Sequence, residues 1–496
     1  MAQLSNKHAN AERIFYPSFD GGLNLSVPPE SLQRNELRKA LNVEFSPLSG
    51  VLRVRGGLCW SGRFVVKVQS VVNVAGTNGF LVNGVNSDKL YFFKWNNIWE
   101  TAGKLTGKGD LSAVTWNETG VMLIATGGKL QKFNGNVLPP TLETIDNAPD
   151  NCRFVFVREG RAVVVGDDDT IRFSAVGDCT SWANDSDDDS SGQFLEIGYK
   201  DGMNIDAVVP LSRDLIIFKS PDNEPEHGTV FRLTGSYPDW QVLEVAHNTG
   251  TFGQRSVQAI ANDVYYITKS GLASLSSVTS YGDIQASWPD RKVSKQLTPS
   301  LKKNARLWNV PVKQQLWILP DENSKLIWVL DYTRGIWTCL EFPAVITHAA
   351  GVENELYAFI DKDLYHVDDG YTQDDLKDKG KQIINAQIEL GLLMKGMQIL
   401  IKGAFATFNV VPSCEALLKI GGAVMPFKAG GTLDYIYDAP NDVQYASEDD
   451  DALFPEGSML TARRKFIVRD WSVTPIITIT GGGCELSTLG FEITEV

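Results

Sequence analysis

The sequence has few of the residues that build metal and redox centres. It contains 5 His and 6 Cys among 496 residues, and the Cys residues lie far apart with no Cys-x-x-Cys pair. Zinc sites and disulfide frameworks need such residues at close, regular spacing. The sequence therefore predicts no metal site and no cofactor, and it favours reduced thiols over disulfides.

Basic residues are also in short supply. Lys and Arg number 46 against 60 Asp and Glu, which gives a net charge of −14 and a pI near 5.0. Proteins that hold a nucleic-acid backbone place an excess of Lys and Arg against the phosphates. The composition therefore argues against tight DNA binding, although an acidic wall would repel DNA and let it slide past.

Long apolar runs are missing as well. No stretch approaches the ~18 residues that a membrane-spanning helix needs. The first residues, MAQLSNKHANAERIFYP, contain no apolar core of the kind found in secretory signals. We expect no spanning segment, no secretory signal and synthesis in the cytosol.

Helical periodicity is scarce. The best candidate is Pro29–Leu41, where Leu32, Leu37 and Ala40 can share one face of a helix. Lys381–Leu392 is a weaker candidate. Elsewhere the chain consists of short apolar runs separated by Gly, Asn and Asp, which is typical of an all-β protein.

These apolar runs recur as hairpins. In Gln314–Phe342, for example, runs rich in Trp, Leu and Ile are split by polar turns. Similar hairpins begin near residues 79, 120, 160, 214, 263, 314 and 355. Their spacing is that of propeller blades, about 40–50 residues. The pattern predicts a β-propeller of six or seven blades over residues 61–378; a stack of β-sandwiches is the competing interpretation.

The flanking segments differ from these repeats. Residues 1–60 are predicted to form an N-terminal arm with a short helix and a strand. After residue 378 the apolar runs become longer, which predicts a separate C-terminal domain of the β-sandwich type over residues 379–496.

Acidic residues offer the only candidates for chemistry. Asp167–Asp169 and the group around Asp188 could bind calcium, but turns favour Asp in any case. The segment from Asp331 to Trp337 resembles loosely the Asp box of sialidases. No pair of carboxylates suited to glycoside hydrolysis can be nominated, so we expect turn residues and no enzyme.

The N-terminal segment carries the most specific pattern. It resembles the opening of the tail hub, nozzle or packaged-DNA stabilisation proteins of short-tailed double-stranded DNA phages. A Gly-Gly-Leu-Asn start, a Pro-initiated segment ending in Ala-x-Asn and a Gly-x-Leu-x-x-Arg-x-Gly strand carry the resemblance. The matching residues are Gly21, Gly22, Asn24, Pro29, Asn42, Arg55 and Gly57. Weaker similarities lie at 174–182, 270–276, 330–342 and 392–411.

The resemblance implies a structural virion protein and not an enzyme. It implies a homohexameric ring of propeller subunits at or below the portal or adaptor ring. Such a ring would attach tail fibres or a spike, help retain the packaged genome and pass DNA at ejection without sequence-specific binding. The protein would act in the virion tail after assembly in the bacterial cytoplasm. The alternative is a propeller-type tail protein that binds or cleaves host glycans.

Overall fold

The computed structural model describes residues 12–46, 50–94, 97–185, 187–221, 224–278, 283–352, 354–368, 370–409, 415–428 and 459–495. The chain divides into two compact units. The first unit contains residues 1–59, 328–343 and 367–496, and the second contains residues 60–327 and 344–366. The predicted boundaries after residues 60 and 378 differ from this division, because the first and last segments of the chain belong to one unit.

The N-terminal segment is built from short strands. They are β1 (Glu12–Tyr16), β2 (Gly22–Leu23), β3 (Glu36–Leu37), β4 (Lys39–Leu41), β5 (Val43–Phe45), β6 (Leu52–Val54) and β7 (Gly57–Arg63). The predicted helix over Pro29–Leu41 is wrong, since only Pro29–Ser31 form one 3-10 turn. Strand pairing replaces the helix: β3 runs parallel to β2, and β4 pairs with a later strand. Leu37 and Ala40 are buried in these pairings.

The middle of the chain contains 27 strands in the described residues, in a repeating order. They are β8 (Val68–Val74), β9 (Gly79–Gly84), β10 (Lys89–Lys94), β11 (Asn97–Lys104), β12 (Ser112–Thr115), β13 (Val121–Ala125), β14 (Gln131–Asn134), β15 (Thr141–Thr144), β16 (Phe154–Arg158), β17 (Arg161–Val165), β18 (Thr170–Phe173), β19 (Gln193–Glu196), β20 (Asn204–Leu211), β21 (Asp214–Ser220), β22 (Thr229–Thr234), β23 (Gln241–His247), β24 (Val257–Ile260), β25 (Asp263–Thr268), β26 (Gly271–Val278), β27 (Asp283–Ser287), β28 (Arg306–Val310), β29 (Gln315–Leu319), β30 (Leu326–Asp331), β31 (Ile336–Glu341), β32 (His348–Val352), β33 (Glu355–Ile360) and β34 (Asp363–Asp368). Each predicted hairpin falls on two or three consecutive strands of this series.

Helices are few in this part of the chain. A short helix, α1 (Ser294–Ser300), follows β27, and 3-10 turns occur at Pro225–His227, Gln254–Ser256 and Pro311–Lys313. Helix α1 has seven residues, which are too few for the sequence to show the apolar stripe of a helix. No helix of the described chain has the length and apolar character needed to cross a membrane.

The second unit is a β-propeller. β8–β11, β12–β15, β16–β19, β20–β23 and β24–β27 form five consecutive four-stranded antiparallel sheets, and β28–β29 and β32–β33 are further antiparallel pairs. Neighbouring sheets share apolar cores. Phe80 and Phe93 of the first sheet pack against Tyr357 and Phe359, which closes the ring. The first strands β8, β12, β16, β20, β24, β28 and β32 surround the axis, so the described unit has the larger predicted number, seven blades.

The C-terminal segment completes the first unit. Its strands are β35 (Gln373–Leu376), β36 (Gly380–Ile383), β37 (Asn385–Glu389), β38 (Leu393–Asn409), β39 (Glu415–Ile420), β40 (Ala423–Lys428), β41 (Met459–Val473), β42 (Ile476–Thr480) and β43 (Glu485–Glu495). One sheet has the order β41-β38-β43-β6-β5, with β1 also on β43; the other contains β31-β4-β37-β42-β39-β40. The helix predicted over Lys381–Leu392 is wrong, because β36 and β37 occupy it and Ala386 and Ile388 alternate into the core.

Both sheets of the first unit show the alternating burial of a β-sandwich. In β39, for instance, Ala416, Leu418 and Ile420 are buried while their neighbours are exposed. The two sheets take strands from both ends of the chain, since β4 lies beside β37 and β6 lies beside β43. The N-terminal segment is therefore part of this sandwich-like unit.

Candidate functional site

Arg55 is the centre of the phage-like N-terminal pattern in the structure. It lies between β6 and β7, and its guanidinium forms a two-pronged ion pair with Asp374 of β35, with N···O distances of 2.9 and 2.7 Å. The remaining N–H groups donate to the carbonyls of Gly56 and Glu341 and to Oδ1 of Asn42. All five donors are thus satisfied, as a buried guanidinium requires. Arg55 is 2% exposed.

Two further contacts complete this group, which we call the Arg55 cluster (Asn42, Arg55, Phe342 and Asp374). The ring of Phe342 lies 4.3 Å from Cζ of Arg55, a cation–π distance. Oδ1 of Asp374 also accepts a hydrogen bond from the backbone N–H of Leu58 at 3.1 Å. The cluster therefore joins the start of β7 to β35 and to the end of β31.

Asn42 connects the same strands from the other side. It has a φ of 57°, a left-handed conformation that Asn tolerates better than most residues. Its Nδ2 donates to the carbonyl of Asn385 at 2.7 Å, and its Oδ1 accepts from the backbone N–H of Glu341 at 2.7 Å. An Asn at this position thus supplies both the turn and the bonds that hold β4, β31 and β37 together.

The glycines of the pattern permit close backbone approach. A Cβ atom on Gly57 would lie 2.1 Å from the carbonyl oxygen of Gln373, and Gly57 N–H donates to the carbonyl of Tyr371. Gly22 has a φ of +61°, and a Cβ there would lie 2.2 Å from Ile336. Both positions therefore exclude larger side chains.

Asn24 and Gly21 form a second group, around the buried Glu36. Asn24 donates from Nδ2 to Oε1 of Glu36 at 2.9 Å, and its Oδ1 accepts from Ser26. Gly21 lies against the same residue, since a Cβ there would be 2.6 Å from Cγ of Glu36. Pro29 stands apart and accepts a backbone hydrogen bond from Leu392.

The structure places most of the predicted motif residues in contacts that join strands. The structure brings Asn42, Arg55 and Gly57 together, gathers Gly21, Gly22 and Asn24 near β2 and β3, and leaves Pro29 separate. Sequence reasoning missed Asp374, because it lies in the charged segment DGYTQDDLKDKG, which has the composition of a solvated loop. Its only sequence signal is that Asp374 precedes Leu376 at the alternate spacing of a strand.

The second unit contains a different candidate site, a cavity of about 500 Å³ lined by residues at and near the first strands of the second to sixth blades, which we call the axial cavity. Loops and first strands from successive blades line it, and the lining residues come in short runs from six separate parts of the chain. The charged and amide side chains around this axial cavity are Asp110, Arg153, Asp206, Gln254, Arg255, Lys303 and Asn304.

An ion pair spans one side of the axial cavity. Nε and Nη2 of Arg255 both contact the carboxylate of Asp110, and Nη2 also lies 3.4 Å from the carbonyl of Gln69. Both charged side chains are about one-third exposed, at 36% and 37%. The pair therefore remains open to solvent and to ligands.

Arg306 and His348 lie at the starts of the inner strands β28 and β32. Nη1 of Arg306 donates to the carbonyl of Thr347 at 3.0 Å and lies 3.4 Å from Nε2 of His348. Burial lowers the pKa of Arg306 to about 10. Burial, assisted by the charges of Arg306 and Arg255, lowers the pKa of His348 well below its usual value.

The acidic turns and Trp residues have structural surroundings. Asp168 pairs with Arg172, and Asp188 accepts hydrogen bonds from Ser190. Among the described residues, no three His, Cys, Asp or Glu side chains form a group that could hold a metal ion. Asp331 accepts from the N–H groups of Thr333 and Arg334, as a turn residue does. The tryptophans of the Gln314–Phe342 segment are buried: Trp317, Trp328 and Trp337.

Comparisons with known proteins return propellers at low identity. No family model and no curated protein matches this sequence. A catalytically inactive virginiamycin B lyase from Staphylococcus aureus with quinupristin is 12% identical, with a TM-score of 0.43 over 62% of this chain and 98% of that one. BamB from Moraxella catarrhalis is 12% identical, with a TM-score of 0.36 over 62% and 97%. U3-55K is 9% identical, with a TM-score of 0.42 over 63% and 98%.

Proposed function

We propose that this chain is a structural virion protein of a short-tailed phage, located at the tail hub or nozzle below the portal. Six copies would form a ring that continues the DNA channel, helps retain the packaged genome and passes it at ejection. The observation that carries the proposal is the Arg55 cluster. Asn42, Arg55 and Gly57 of the phage-like pattern are buried and link strands distant in sequence, which supports an architectural role for the pattern.

The first unit supplies a surface suited to subunit contacts. β41 is the last strand of its sheet in the described chain and has β38 as its neighbour. Ile467 is 77% exposed and Trp471 is 62% exposed on this strand. Exposed aromatic and aliphatic side chains on an outer strand are typical of protein interfaces. Contacts between unlike surfaces of identical subunits close into rings when the rotation permits.

The acidic charge of the chain suits a protein that conducts DNA better than one that binds DNA tightly. Each subunit carries a net charge of −14. We expect the residues that face the channel of the ring to be net acidic, which would keep the duplex from adhering. The ring would meet the portal or adaptor on one side and tail fibres or a spike on the other.

Electron microscopy of the purified protein, alone and mixed with the portal ring, tests this proposal. We expect six-fold rings with a central channel. Persistent monomers in the presence of the portal would contradict the proposed function, and a ring with a basic channel would contradict the proposed mode of DNA passage.

A second candidate function is binding or cleavage of host glycans. The axial cavity favours it, since Phe154 and Phe252 line the cavity beside Asp110 and Asp206, and sugar sites combine aromatic and polar groups in this way. A glycan array and a hydrolysis assay with the purified protein test this function. Selective glycan binding or cleavage would favour this function over the structural role. No binding on the array and no hydrolysis would exclude it.

A further inference from the structure

Positive charge exceeds negative charge around the axial cavity. Arg153, Arg255 and Lys303 line it, and the carboxylates among the lining residues are those of Asp110 and Asp206. Arg306 follows the lining residue Ala305 in the chain and adds a fourth positive charge close to Arg255. The whole chain has a net charge of −14. The positive charge around the cavity is therefore local and does not follow from the overall composition.

Several donors around the cavity remain available. The contacts of Arg255 with Asp110 and Gln69 use Nε and Nη2, so within the described chain Nη1 is open to a ligand. Arg153 donates from Nη1 to the carbonyl of Ile205 at 3.2 Å, and its Nε lies 3.9 Å from the exposed carboxylate of Asp167. Two guanidinium groups thus have capacity for a further acceptor.

Two buried polar atoms, one on the lining residue Asn304 and one on the nearby Arg306, have no partner among the described residues. Nε of Arg306 and Oδ1 of Asn304 are buried and have no hydrogen-bond partner in the described chain. Buried polar groups are nearly always paired, and the exceptions call for an explanation. Oδ1 of Asn304 is an acceptor and the guanidinium groups of the lining are donors, so a ligand that serves both carries oxygen acceptors and at least one hydroxyl or amide N–H.

We propose that the axial cavity is a binding site for a small hydroxylated organic anion. Its carboxylate or phosphate oxygens would accept hydrogen bonds from Arg153, Arg255 and Lys303, and its hydroxyl would donate to Oδ1 of Asn304. A cavity of about 500 Å³ has the volume of an ordinary small-molecule site. This inference does not depend on the virion role, since rings can form whether or not the cavity is filled.

Isothermal titration calorimetry with citrate and with inorganic phosphate tests the site. Citrate carries carboxylates and a hydroxyl, phosphate carries the oxyanion alone, and glycerol carries hydroxyls alone. We expect citrate to bind, glycerol not to bind, and the phosphate arm to show whether the site accepts phosphate oxygens. Probe concentrations stay in the low millimolar range at constant ionic strength, because such anions at high concentration stabilise proteins without a site.

Charge-removing variants locate the binding. We expect Arg153→Gln and Lys303→Gln each to weaken citrate binding about tenfold, the effect of losing one hydrogen bond to a charged group. Lys104→Gln is the matched control, since this lysine is 82% exposed on the outer strand β11, and we expect it to leave the affinity unchanged. The proposal is overturned if neither citrate nor phosphate binds, or if the cavity variants bind citrate as well as the control does.

Discussion

Arg55 shows how one side chain fixes several parts of the first unit. It satisfies all of its donors with the Asp374 carboxylate, two backbone carbonyls and the Asn42 amide. A buried ion pair need not be worth more than an apolar packing of equal volume. Removing one partner is a different matter, because the remaining charge is then buried alone.

Asp374→Asn is therefore expected to lower the free energy of unfolding by about 3–5 kcal/mol. Urea denaturation of the purified variant measures it. Asp361→Asn serves as the control, since Asp361 forms an ion pair with Lys67 in which both side chains are exposed, at 60% and 58%. Exposed pairs contribute about 0–1 kcal/mol. Equal losses in the two variants would contradict the structural role of the Arg55 cluster.

The stability of the folded protein is expected to depend on pH through His348. Its pKa is lowered in the folded state by burial and by Arg306 and Arg255, so the folded protein keeps it neutral. The unfolded chain takes up this proton near its ordinary pKa of about 6.5. Folded stability is therefore lost as pH falls below about 6.5, at up to about 1.4 kcal/mol per pH unit for this group.

Denaturation curves at pH values between about 7 and 5 check this dependence. We expect His348→Gln to flatten the loss of stability in this range, because glutamine cannot take up a proton and still offers an acceptor to Arg306. His227→Gln changes an exposed histidine and is expected to keep the slope of the parent protein. An unchanged slope in His348→Gln would refute the assignment.

At the scale of elements, strands were predicted well and helices poorly. Apolar runs separated by turn residues are a local signal, so every predicted hairpin falls on consecutive strands of the series β8–β34. The segment Pro29–Leu41 has apolar residues at helical spacing, but short strands use the same residues when long-range partners exist. Those partners lie far along the chain, as in the pairing of β4 with β37, and a single segment cannot reveal them.

Only part of the candidate sites could be predicted, again because the partners lie far apart in the sequence. Asn42, Arg55 and Gly57 could be selected from the phage-like pattern, but Asp374, the partner of Arg55, is 319 positions away. The axial cavity escaped prediction entirely, because its charged residues come from different blades and share no motif. Both sites consist of residues that are distant in the sequence and meet only in the folded chain, so no local pattern reveals them.

β41 leads to a prediction about assembly. We expect the double substitution Ile467→Ser with Trp471→Ser to weaken ring formation at least tenfold, as loss of an aromatic contact at an interface centre does. The unfolding midpoint should stay the same, because both side chains are exposed in the single chain. Mass photometry measures the rings. Val65→Ser, at a position that is 78% exposed in the second unit, is the control. Undiminished rings in the double variant would exclude β41 from the interface.

The whole molecule carries enough negative charge to oppose its own assembly. In the proposed ring, six subunits at −14 each would repel one another at low salt. Raising the ionic strength from about 0.01 M to about 0.15 M shortens the screening length from about 30 to about 8 Å. We expect the ring fraction at fixed protein concentration to rise over this range, measured by mass photometry. Rings that dissociate as salt increases would indicate that attractive ion pairs hold the subunits together.

The first unit contains strands from both ends of the chain, and this limits the order in which the two units can fold. Residues 60–366 contain all the chain of the second unit, whereas the sheets of the first unit need β4 and β6 near the start and β37 and β43 near the end. Domains fold as units while the ribosome extends the chain. The propeller can therefore form during translation, whereas β4 and β6 meet β37 and β43 only when the C-terminal segment emerges. A chain that ends early would complete the second unit and leave the first unit without these strands.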